Sequence, residues 1–290
     1  MTTRIRLGFF PEPVAADLPA LLRRVERADD AGLDIVGIQD HPYQRRFVDT
    51  VALLAFLAAR TSRITLFPDV ANLPLRGPAL LAKQASTIDL LSGGRFELGI
   101  GAGAMWDAVA AMGGPRRSPG EALAALREAI AVIRAIWSAE RGLHVAGEHY
   151  RLAGVHGGPP PAHAIGIWVG GYGEKMMRLI GEEADGWVPS MAYLPPPALA
   201  ERAAILDQAA TAAGRDPHAI RRVYNVGGSI TPAVERREDA IVGPPDHWVQ
   251  TLLDLAATHR IDTFVLWPSG DIDAQLDLFA TEVAPAVRTG

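Results

Sequence analysis

The chain has 290 residues, 49% of them hydrophobic, and a formal net charge of −5 at pH 7. This mildly negative charge argues against nucleic acids and anionic membrane surfaces as partners, because both require a basic patch. The chain contains no cysteine, which excludes disulfides, thiolate metal sites and a thiol nucleophile. Neither an apolar run of about 18 residues nor an apolar signal region near the N-terminus is present, so we predict a cytoplasmic protein without a membrane span.

Short β-branched or apolar runs alternate with longer amphipathic runs along the chain. The pattern predicts eight strands, at Arg4–Phe9, Asp34–Gln39, Arg63–Phe67, Arg95–Leu98, Ile165–Val169, Gly186–Val188, Arg222–Val226 and Thr263–Leu266. It predicts eight helices, at Asp17–Ala31, Thr50–Arg60, Pro78–Leu91, Glu121–Trp137, Lys175–Glu183, Pro197–Ala213, Asp246–His259 and Ala274–Val287. This alternation predicts an α/β fold of one domain over residues 1–290, a (β/α)8 TIM barrel, with an open doubly wound sheet as the alternative.

Two long stretches that we predict to be non-helical interrupt this rhythm. Gly101–Gly120 follows the fourth predicted strand and would be a loop insertion at the C-terminal mouth, where barrel enzymes carry their chemistry. It contains Trp106 and Asp107, and a long loop in a compact domain is more often functional than not. Ala139–His163 is the second stretch, and its segment His149–Leu152 predicts a small hairpin outside the barrel.

The most prominent polar pair at a predicted strand end is Asp40-His41. A carboxylate and an imidazole there could hold a proton donor or a polar edge of a ligand, and a helix cap or a loop hydrogen bond is the structural alternative. The remaining histidines show no HxH or HExxH spacing, so we predict no metal site.

Two glycine-rich runs follow predicted strands. One run stands between the fifth strand and its helix, where backbone N–H groups can approach a phosphate or simply form a tight turn. Its residues are Gly170, Gly171, Tyr172 and Gly173. The other run, from Gly99 to Ala104, formally matches a dinucleotide fingerprint, but it follows the fourth strand and no predicted helix opens at once. We interpret it as a glycine-lined path for a flat ligand.

A set of residues at the predicted mouth could wall a substrate pocket. The set consists of Phe9, Phe10, Asn72, Trp106 and Trp267. Each of the aromatic members could equally belong to the core. The residues do not define which small molecule such a pocket would take.

Several motifs recur in an order that is specific as a set, although each is weak alone. They are Leu73-Pro74-Leu75-Arg76-Gly77-Pro78, Ala82-Lys83-Gln84, Leu90-Leu91-Ser92-Gly93-Gly94-Arg95, Leu98-Gly99-Ile100-Gly101-Ala102-Gly103, Ile167-Trp168-Val169-Gly170-Gly171 and Ala184-Asp185-Gly186-Trp187. In this order the chain resembles, over nearly its whole length, the luciferase-like monooxygenase superfamily. Members of that superfamily use FMN or coenzyme F420 on a (β/α)8 barrel.

The resemblance implies roles for particular positions. Asp40 and His41 match a pair that lies against the deazaflavin ring in F420-dependent members, and Asp69-Val70 matches a non-proline cis peptide beneath the ring. Positions implied along the polar edge of the ring are Gly101, Ala102, Gly103 and Asp107. Positions implied near the phosphate are Gly170, Gly171, Tyr172, Gly173, Ser190 and Met191.

The chain departs from the superfamily at one position that bears on chemistry. F420-dependent sugar-phosphate dehydrogenases carry a proton-donating glutamate after the glycine loop, whereas this chain has Ala104. The departure argues against a glucose-6-phosphate dehydrogenase and leaves His41, then Asp107, as the candidate catalytic residues.

The Asp-His pair favours F420, because luciferase-type FMN members more often have Glu-His-His at that place. We therefore predict a hydride-transferring oxidoreductase that uses F420 on a small organic substrate. An FMN-dependent monooxygenase supplied by a separate flavin reductase is the first alternative, and a barrel that binds a ligand without redox turnover is the second. Homodimers are common among relatives, but no feature of this chain decides that point.

Overall fold

The computed structural model describes residues 4–290. Within them the chain forms twelve strands: β1 Arg6–Phe9, β2 Ile35–Ile38, β3 Thr65–Pro68, β4 Ala71–Asn72, β5 Leu98–Gly101, β6 Leu143–Ala146, β7 Arg151–Val155, β8 Ile167–Gly170, β9 Gly186–Trp187, β10 Arg221–Ile230, β11 Ile241–Gly243 and β12 Thr263–Pro268. The α-helices of the same residues are α1 Leu18–Asp30, α2 Thr50–Arg60, α3 Pro78–Ser92, α4 Trp106–Ala111, α5 Pro119–Trp137, α6 Glu174–Glu183, α7 Pro196–Ala212, α8 Pro245–His259, α9 Ile272–Leu278 and α10 Ala284–Thr289.

Eight parallel strands form a closed barrel. Their order around it is β3-β2-β1-β12-β10-β9-β8-β5. The ring closes between β3 and β5 at a parallel bridge between Leu66 and Phe96. There the Leu66 N–H donates to the Arg95 carbonyl at 2.8 Å, and the Glu97 N–H donates to the Leu66 carbonyl at 3.0 Å. Closure confirms the predicted (β/α)8 barrel over the open-sheet alternative.

Helix ends follow the local chemistry of the chain. Ser118 caps α5 in a capping box with Glu121, each side chain bonding the backbone N–H of the other residue. Pro78 opens α3, where its missing N–H leaves no bond unmade. Gly93 ends the same helix with φ of +69°, a left-handed conformation that favours glycine.

Strand alternation divides the apolar residues into two layers. The larger layer lies between the strands and the helices and includes Leu7 and Phe9. The smaller layer fills the inside of the barrel and consists of Phe10, Ile35, Phe67, Trp168, Val188, Val223 and Val265. The barrel is therefore packed solid in its middle, and any ligand must bind above this inner layer.

Three local predictions were wrong. The fourth barrel strand is Leu98–Gly101 rather than Arg95–Leu98, because Phe96 makes only an isolated bridge to Leu66 and the continuous pairing with β8 begins at Leu98. The last predicted helix is interrupted by a π-helical turn at Phe279–Val283. The loop after β5 contains the short helix α4.

The predicted hairpin in the second long loop is confirmed. Strands β6 and β7 pair antiparallel in a two-stranded sheet separate from the barrel. No helix of residues 4–290 is long and apolar enough to cross a membrane.

Candidate functional site at the barrel mouth

Unpaired polar atoms are concentrated at the C-terminal mouth of the barrel. Seven buried side-chain nitrogen or oxygen atoms of the described residues lack a hydrogen-bond partner. Three of these belong to residues at or just beyond the C-terminal ends of β2, β3 and β4, namely Gln39 Nε2, Asp69 Oδ2 and Asn72 Oδ1, and a fourth, Asn225 Oδ1, belongs to the middle of the long strand β10. Buried polar groups in folded proteins are normally paired. The cluster therefore marks the place where a polar ligand would complete the hydrogen bonding.

Asp40 is fixed by an ion pair that the sequence analysis did not anticipate. Its carboxylate accepts from Arg76 Nε at 2.6 Å, from Arg76 Nη2 at 2.8 Å and from the Asn72 N–H at 2.8 Å. Arg76 also pairs with Asp49, the N-cap of α2. Burial opposes the charge of Arg76, but the bonds to Asp40 and Asp49 outweigh it and raise the Arg76 pKa. Asp40 thus ties the loops of the mouth together.

His41 lies beside Asp40 and is half-buried. Its Nδ1 is 2.8 Å from the hydroxyl of Tyr43. Burial lowers the pKa of His41, and the negative charge of Asp40 opposes only part of that effect. Burial and the same charge raise the pKa of Tyr43. At pH 7 the imidazole is therefore neutral, and the phenol can donate to Nδ1.

The Asp69–Val70 peptide bond is cis, which confirms the geometry implied by the resemblance. The Asp69 carboxylate lies over Gly37 of β2, whose absent Cβ would stand 2.9 Å from Asp69 Oδ2. The carboxylate receives a hydrogen bond from the Asn225 amide, which also donates to Ser190 Oγ at 3.2 Å. Burial raises the Asp69 pKa to about 7, although the bond from Asn225 acts in the other direction.

Val70 occupies the space that three glycines leave open. A Cβ at Gly99 would stand 3.2 Å from Val70 Cγ1, one at Gly101 2.9 Å from Cγ2, and one at Gly170 3.1 Å from Cγ2. Gly101 and Gly170, which we predicted to contact a cofactor, are therefore brought together around this side chain. Any flat ligand over them would rest on Val70.

The predicted phosphate turn lies between β8 and α6. Gly171 is crowded, since a Cβ there would stand 2.5 Å from Met176 Cγ, and its carbonyl accepts from Trp187 Nε1 at 3.0 Å. Gly173 is the N-cap of α6, has no side-chain cap and has open space where a Cβ would be. The N–H groups of the first helical turn are thus available to an anion.

The other residues predicted near the phosphate differ in accessibility. Tyr172 and Ser190 are half-buried. Burial raises the Tyr172 pKa, and hydrogen bonding with Ser190 limits the rise. Met191 is 2% exposed, packs in the outer core, and donates its N–H to the Asn225 carbonyl at 2.9 Å. Because the Met191 side chain is packed in the core and its N–H already has an acceptor, we withdraw Met191 as a ligand contact.

The loop after β5 is partly exposed. Ala102 packs against the outer core, and Gly103 has φ of +115°, with Pro74 and Trp106 filling the space beside it. Ala104 is exposed. The Asp107 side chain is 91% exposed and pairs with Arg116 on the surface. Because this carboxylate is exposed to solvent and is engaged by Arg116, we withdraw Asp107 as a catalytic residue.

Two of the predicted pocket aromatics face each other at the mouth. The rings of Phe10 and Trp267 stack with centroids 4.8 Å apart and an interplanar angle of 27°. They line a small cleft of about 130 Å³ beside the strand ends. Phe9, the neighbouring residue, is fully buried in the outer core, because successive side chains alternate across a strand. The prediction that Phe9 lines the pocket was therefore wrong.

A larger cleft of about 810 Å³ lies at the opposite end of the barrel, where the strands begin. Its arginines already have partners: Arg4 and Arg288 pair with Asp34, and Arg222 pairs with Asp207. In barrel enzymes that end of the fold serves stability rather than catalysis. We therefore assign the functional site to the mouth, where the unpaired polar atoms are.

Three residues of the candidate site were not predicted from the sequence. Asn225 is the only polar residue of the run Val223–Val226 apart from a tyrosine, and that isolation could have marked it. Gln39 ends the second predicted strand, next to the Asp-His pair. Arg76 stands in a motif used for the resemblance, but its partner Asp40 is distant in the sequence.

A parallel eight-stranded barrel with unsatisfied polar groups at its mouth defines the class of barrel proteins that bind a small polar molecule at the strand ends. Comparison with known proteins makes the assignment narrower. The family model of luciferase-like monooxygenases matches residues 3–263. The chain therefore belongs to the luciferase-like monooxygenase family.

Individual relatives agree with this assignment. An F420-dependent glucose-6-phosphate dehydrogenase from Intrasporangium calvum is 34% identical over 176 residues, which are 58% of this chain and 52% of that protein. A 5,10-methylenetetrahydromethanopterin reductase from Archaeoglobus fulgidus is 37% identical over 164 residues, 56% of this chain and 46% of that protein. The chain thus spans about half the length of these curated relatives.

A solved structure of similar fold is an F420-dependent secondary alcohol dehydrogenase in complex with an F420–acetone adduct. It superposes with a TM-score of 0.87 over 98% of this chain and 99% of that chain, at 19% sequence identity. At this identity the likeness shows the barrel fold alone.

Proposed function

We propose that the chain is an oxidoreductase that binds coenzyme F420 at the barrel mouth and transfers hydride between it and a small organic substrate. The observation that carries the proposal is the set of four unpaired buried polar atoms around the cis Asp69–Val70 peptide. A flat ring with carbonyl and N–H groups along one edge has the chemistry to pair with them. One curated relative is named as an F420-dependent glucose-6-phosphate dehydrogenase, and another is named as a 5,10-methylenetetrahydromethanopterin reductase.

The residues present fit such a group. Val70 would support the ring, while Gln39, Asn72 and Asn225 would offer polar groups to its edge. The free first turn of α6 at Gly173 would receive a phosphate. When bound, F420 supplies a carbon centre that accepts or gives hydride. The surrounding residues orient it, exclude water and manage the accompanying proton.

The substrate is a separate matter from the cofactor. Ala104 is exposed where sugar-phosphate dehydrogenases carry a glutamate, so the mouth cannot donate a proton from that position. The stacked Phe10 and Trp267 give the wall of the cleft an apolar surface. The cleft is also lined by the charged residues Glu12, Asp17 and Arg24, so the absent glutamate is the feature that argues against a sugar phosphate.

Equilibrium binding of F420 and of reduced FMN, measured side by side on the full chain, tests the proposal. We expect micromolar or tighter binding of F420 and weaker binding of FMN. Tight FMN binding without F420 binding would favour the monooxygenase that depends on a separate flavin reductase. Binding of neither cofactor would favour a ligand-binding barrel without redox turnover.

His41→Ala should reduce turnover much more than it reduces stability. The side chain is half-buried and makes one hydrogen bond to Tyr43, so its removal should cost about 1 kcal/mol of unfolding free energy. Turnover should fall by about tenfold or more, because a polar contact beside the ring is lost. Tyr43→Phe removes the same hydrogen bond and serves as the control. Parallel losses of melting temperature and activity would show that His41 is structural.

Gly173→Asp should weaken F420 binding without harming the fold. Aspartate is a preferred N-cap, and the position has open space and φ of −75°. The new charge would repel a phosphate at the first turn of α6, so we expect about tenfold weaker affinity, equivalent to about 1.4 kcal/mol. Gly173→Ser offers the same cap without the charge and should bind normally. Equal affinity for both variants would place the phosphate elsewhere.

A further inference from the structure

The cleft where the barrel strands begin lies at the opposite end from the mouth and takes no part in the chemistry proposed there. Its volume of about 810 Å³ is within the range of sites that hold small organic molecules, about 300–1,000 Å³. Helices α8 and α10 and the segments that lead into β1, β10 and β12 form its walls. The cleft is therefore large enough to hold a ligand of its own.

Two of the arginines that line this cleft share a single aspartate. Arg4 Nη2 lies 2.9 Å from Asp34 Oδ1, and Arg288 Nη2 lies 2.9 Å from Asp34 Oδ2. The ion pairs fix the guanidinium groups in place, but two positive charges face only one negative charge. Arg4 also has five N–H groups and uses one of them in its bond to Asp34. This pair of arginines therefore keeps both charge and donors for another anion.

The other two lining arginines repeat the arrangement. Arg222 Nη2 lies 2.6 Å from Asp207 Oδ1, and Arg260 Nη2 lies 2.5 Å from Asp207 Oδ2. Burial lowers the pKa of Arg222, and the positive charge of Arg260 adds to the decrease, although Asp207 opposes it. One positive charge is therefore left over at this pair as well.

The acidic side chain of the cleft does not cancel this excess. Of the described residues that line the cleft, Asp262 alone is acidic. It lies 3.6 Å from Arg221, which is outside the lining, and its oxygens accept from the Arg222 N–H and the Thr263 hydroxyl. The lining side chains thus form a positive site in a chain whose formal net charge is −5.

An apolar surface lies beside these charges. Helix α8 contributes Leu253, Ala256 and Ala257, which share one helical face because they are three and four residues apart. Ile5, Ile220 and Val287 also line the cleft. The combination can bury an apolar body while it holds an anionic group nearby.

We propose that this cleft is a second binding site, which takes a small organic carboxylate with an apolar body. The carboxylate would pair with the arginines that share Asp34 and Asp207, since guanidinium N–H groups form charge-assisted hydrogen bonds with carboxylates. The apolar body would lie against α8. The site binds without catalysing, and the inference does not depend on which cofactor the mouth holds.

Titration calorimetry of the full chain with octanoate and with 1-octanol tests this proposal. We expect saturable binding of octanoate, with an affinity that falls as the ionic strength rises. The alcohol has the same apolar chain without the charge, so it should bind at least about tenfold more weakly. Equal affinities of octanoate and 1-octanol would overturn the assignment of an anionic ligand.

A matched pair of variants places the binding in the cleft. Ala257→Glu adds a negative charge to the lining at an exposed position of α8, where it would repel octanoate and compete for Arg260. We expect at least about tenfold weaker binding of octanoate, whereas Ala257→Gln should bind it as the wild-type chain does. Ala59→Glu adds the same charge at an exposed position of α2 outside the cleft and should leave the affinity unchanged.

Arg4→Gln provides a second variant that does not depend on α8. The Arg4 side chain is 68% exposed, and Arg288 remains to pair with Asp34, so the fold should be preserved while octanoate binds more weakly. Absence of saturable octanoate binding to the wild-type chain would overturn the proposal. Equal octanoate affinities of Ala257→Glu and Ala257→Gln would do the same, because binding would then lie outside the cleft.

Discussion

Asp69→Asn is expected to stabilise the protein at neutral pH. The Asp69 pKa is raised from its ordinary 3.8 to about 7 by burial, so the folded state binds a proton that the unfolded state has released. The contribution of Asp69 to the free energy of unfolding of the wild-type protein is therefore fully present below about pH 4, and it is lost as the pH rises to about 7. The full loss corresponds to at most about 4 kcal/mol. Asparagine keeps the shape without the charge and avoids this loss.

Urea unfolding of the two proteins between about pH 4 and pH 8 would measure the effect. The advantage of Asp69→Asn should grow through that range and then level off. Carboxylates with lowered pKa values, such as Asp29, produce the opposite trend in both proteins and cancel in the difference. A constant difference across the range would mean that Asp69 has an ordinary pKa in the folded protein.

Arg76→Met should be strongly destabilising. The substitution leaves Asp40, whose side chain is 1% exposed, without its cation. Removal of one member of a buried ion pair typically costs about 3–5 kcal/mol, because the remaining charge is buried and uncompensated. The variant should also lose cofactor affinity, since Arg76 joins the Asp40 and Asp49 sides of the mouth.

The double variant Asp40→Asn/Arg76→Met separates charge from packing. Asparagine can still accept the Asn72 N–H bond, so most of the lost stability should return. Arg46→Met, which breaks an exposed pair with Glu12, should change the unfolding free energy by less than about 1 kcal/mol. If Arg76→Met lowers the free energy of unfolding by no more than Arg46→Met does, the Asp40–Arg76 pair contributes no more than a surface ion pair.

The barrel was predictable because its signal is local. Each strand and helix shows its own hydrophobic period, and the turn residues mark most boundaries. The fourth strand was misplaced because Arg95 and Glu97 look like strand residues, yet their backbones bond only Leu66 in an isolated bridge, and the continuous pairing with β8 begins at Leu98. Contacts between distant segments decide such boundaries, and periodicity does not contain them.

The site was predictable in position and less so in chemistry. Strand ends identified Asp40 and His41 as residues of the mouth, and the family resemblance implied Asp69. Their roles depended on partners that only the fold brings near, such as Arg76 for Asp40 and Asn225 for Asp69. Phe9 and Phe10 show the same limit, because a single residue of register decides which of them faces the inside.

The Val70 side chain fills the space over Gly99, Gly101 and Gly170, and this arrangement makes the depth of the mouth adjustable at one position. A smaller residue at 70 would lower the floor over all three glycines at once. A bulkier residue would raise the floor and shorten the space for any molecule stacked above. Variation at this single position could therefore change the thickness of ligand that the barrel admits, while the strands, the helices and the ion pair at Asp40 stay as they are.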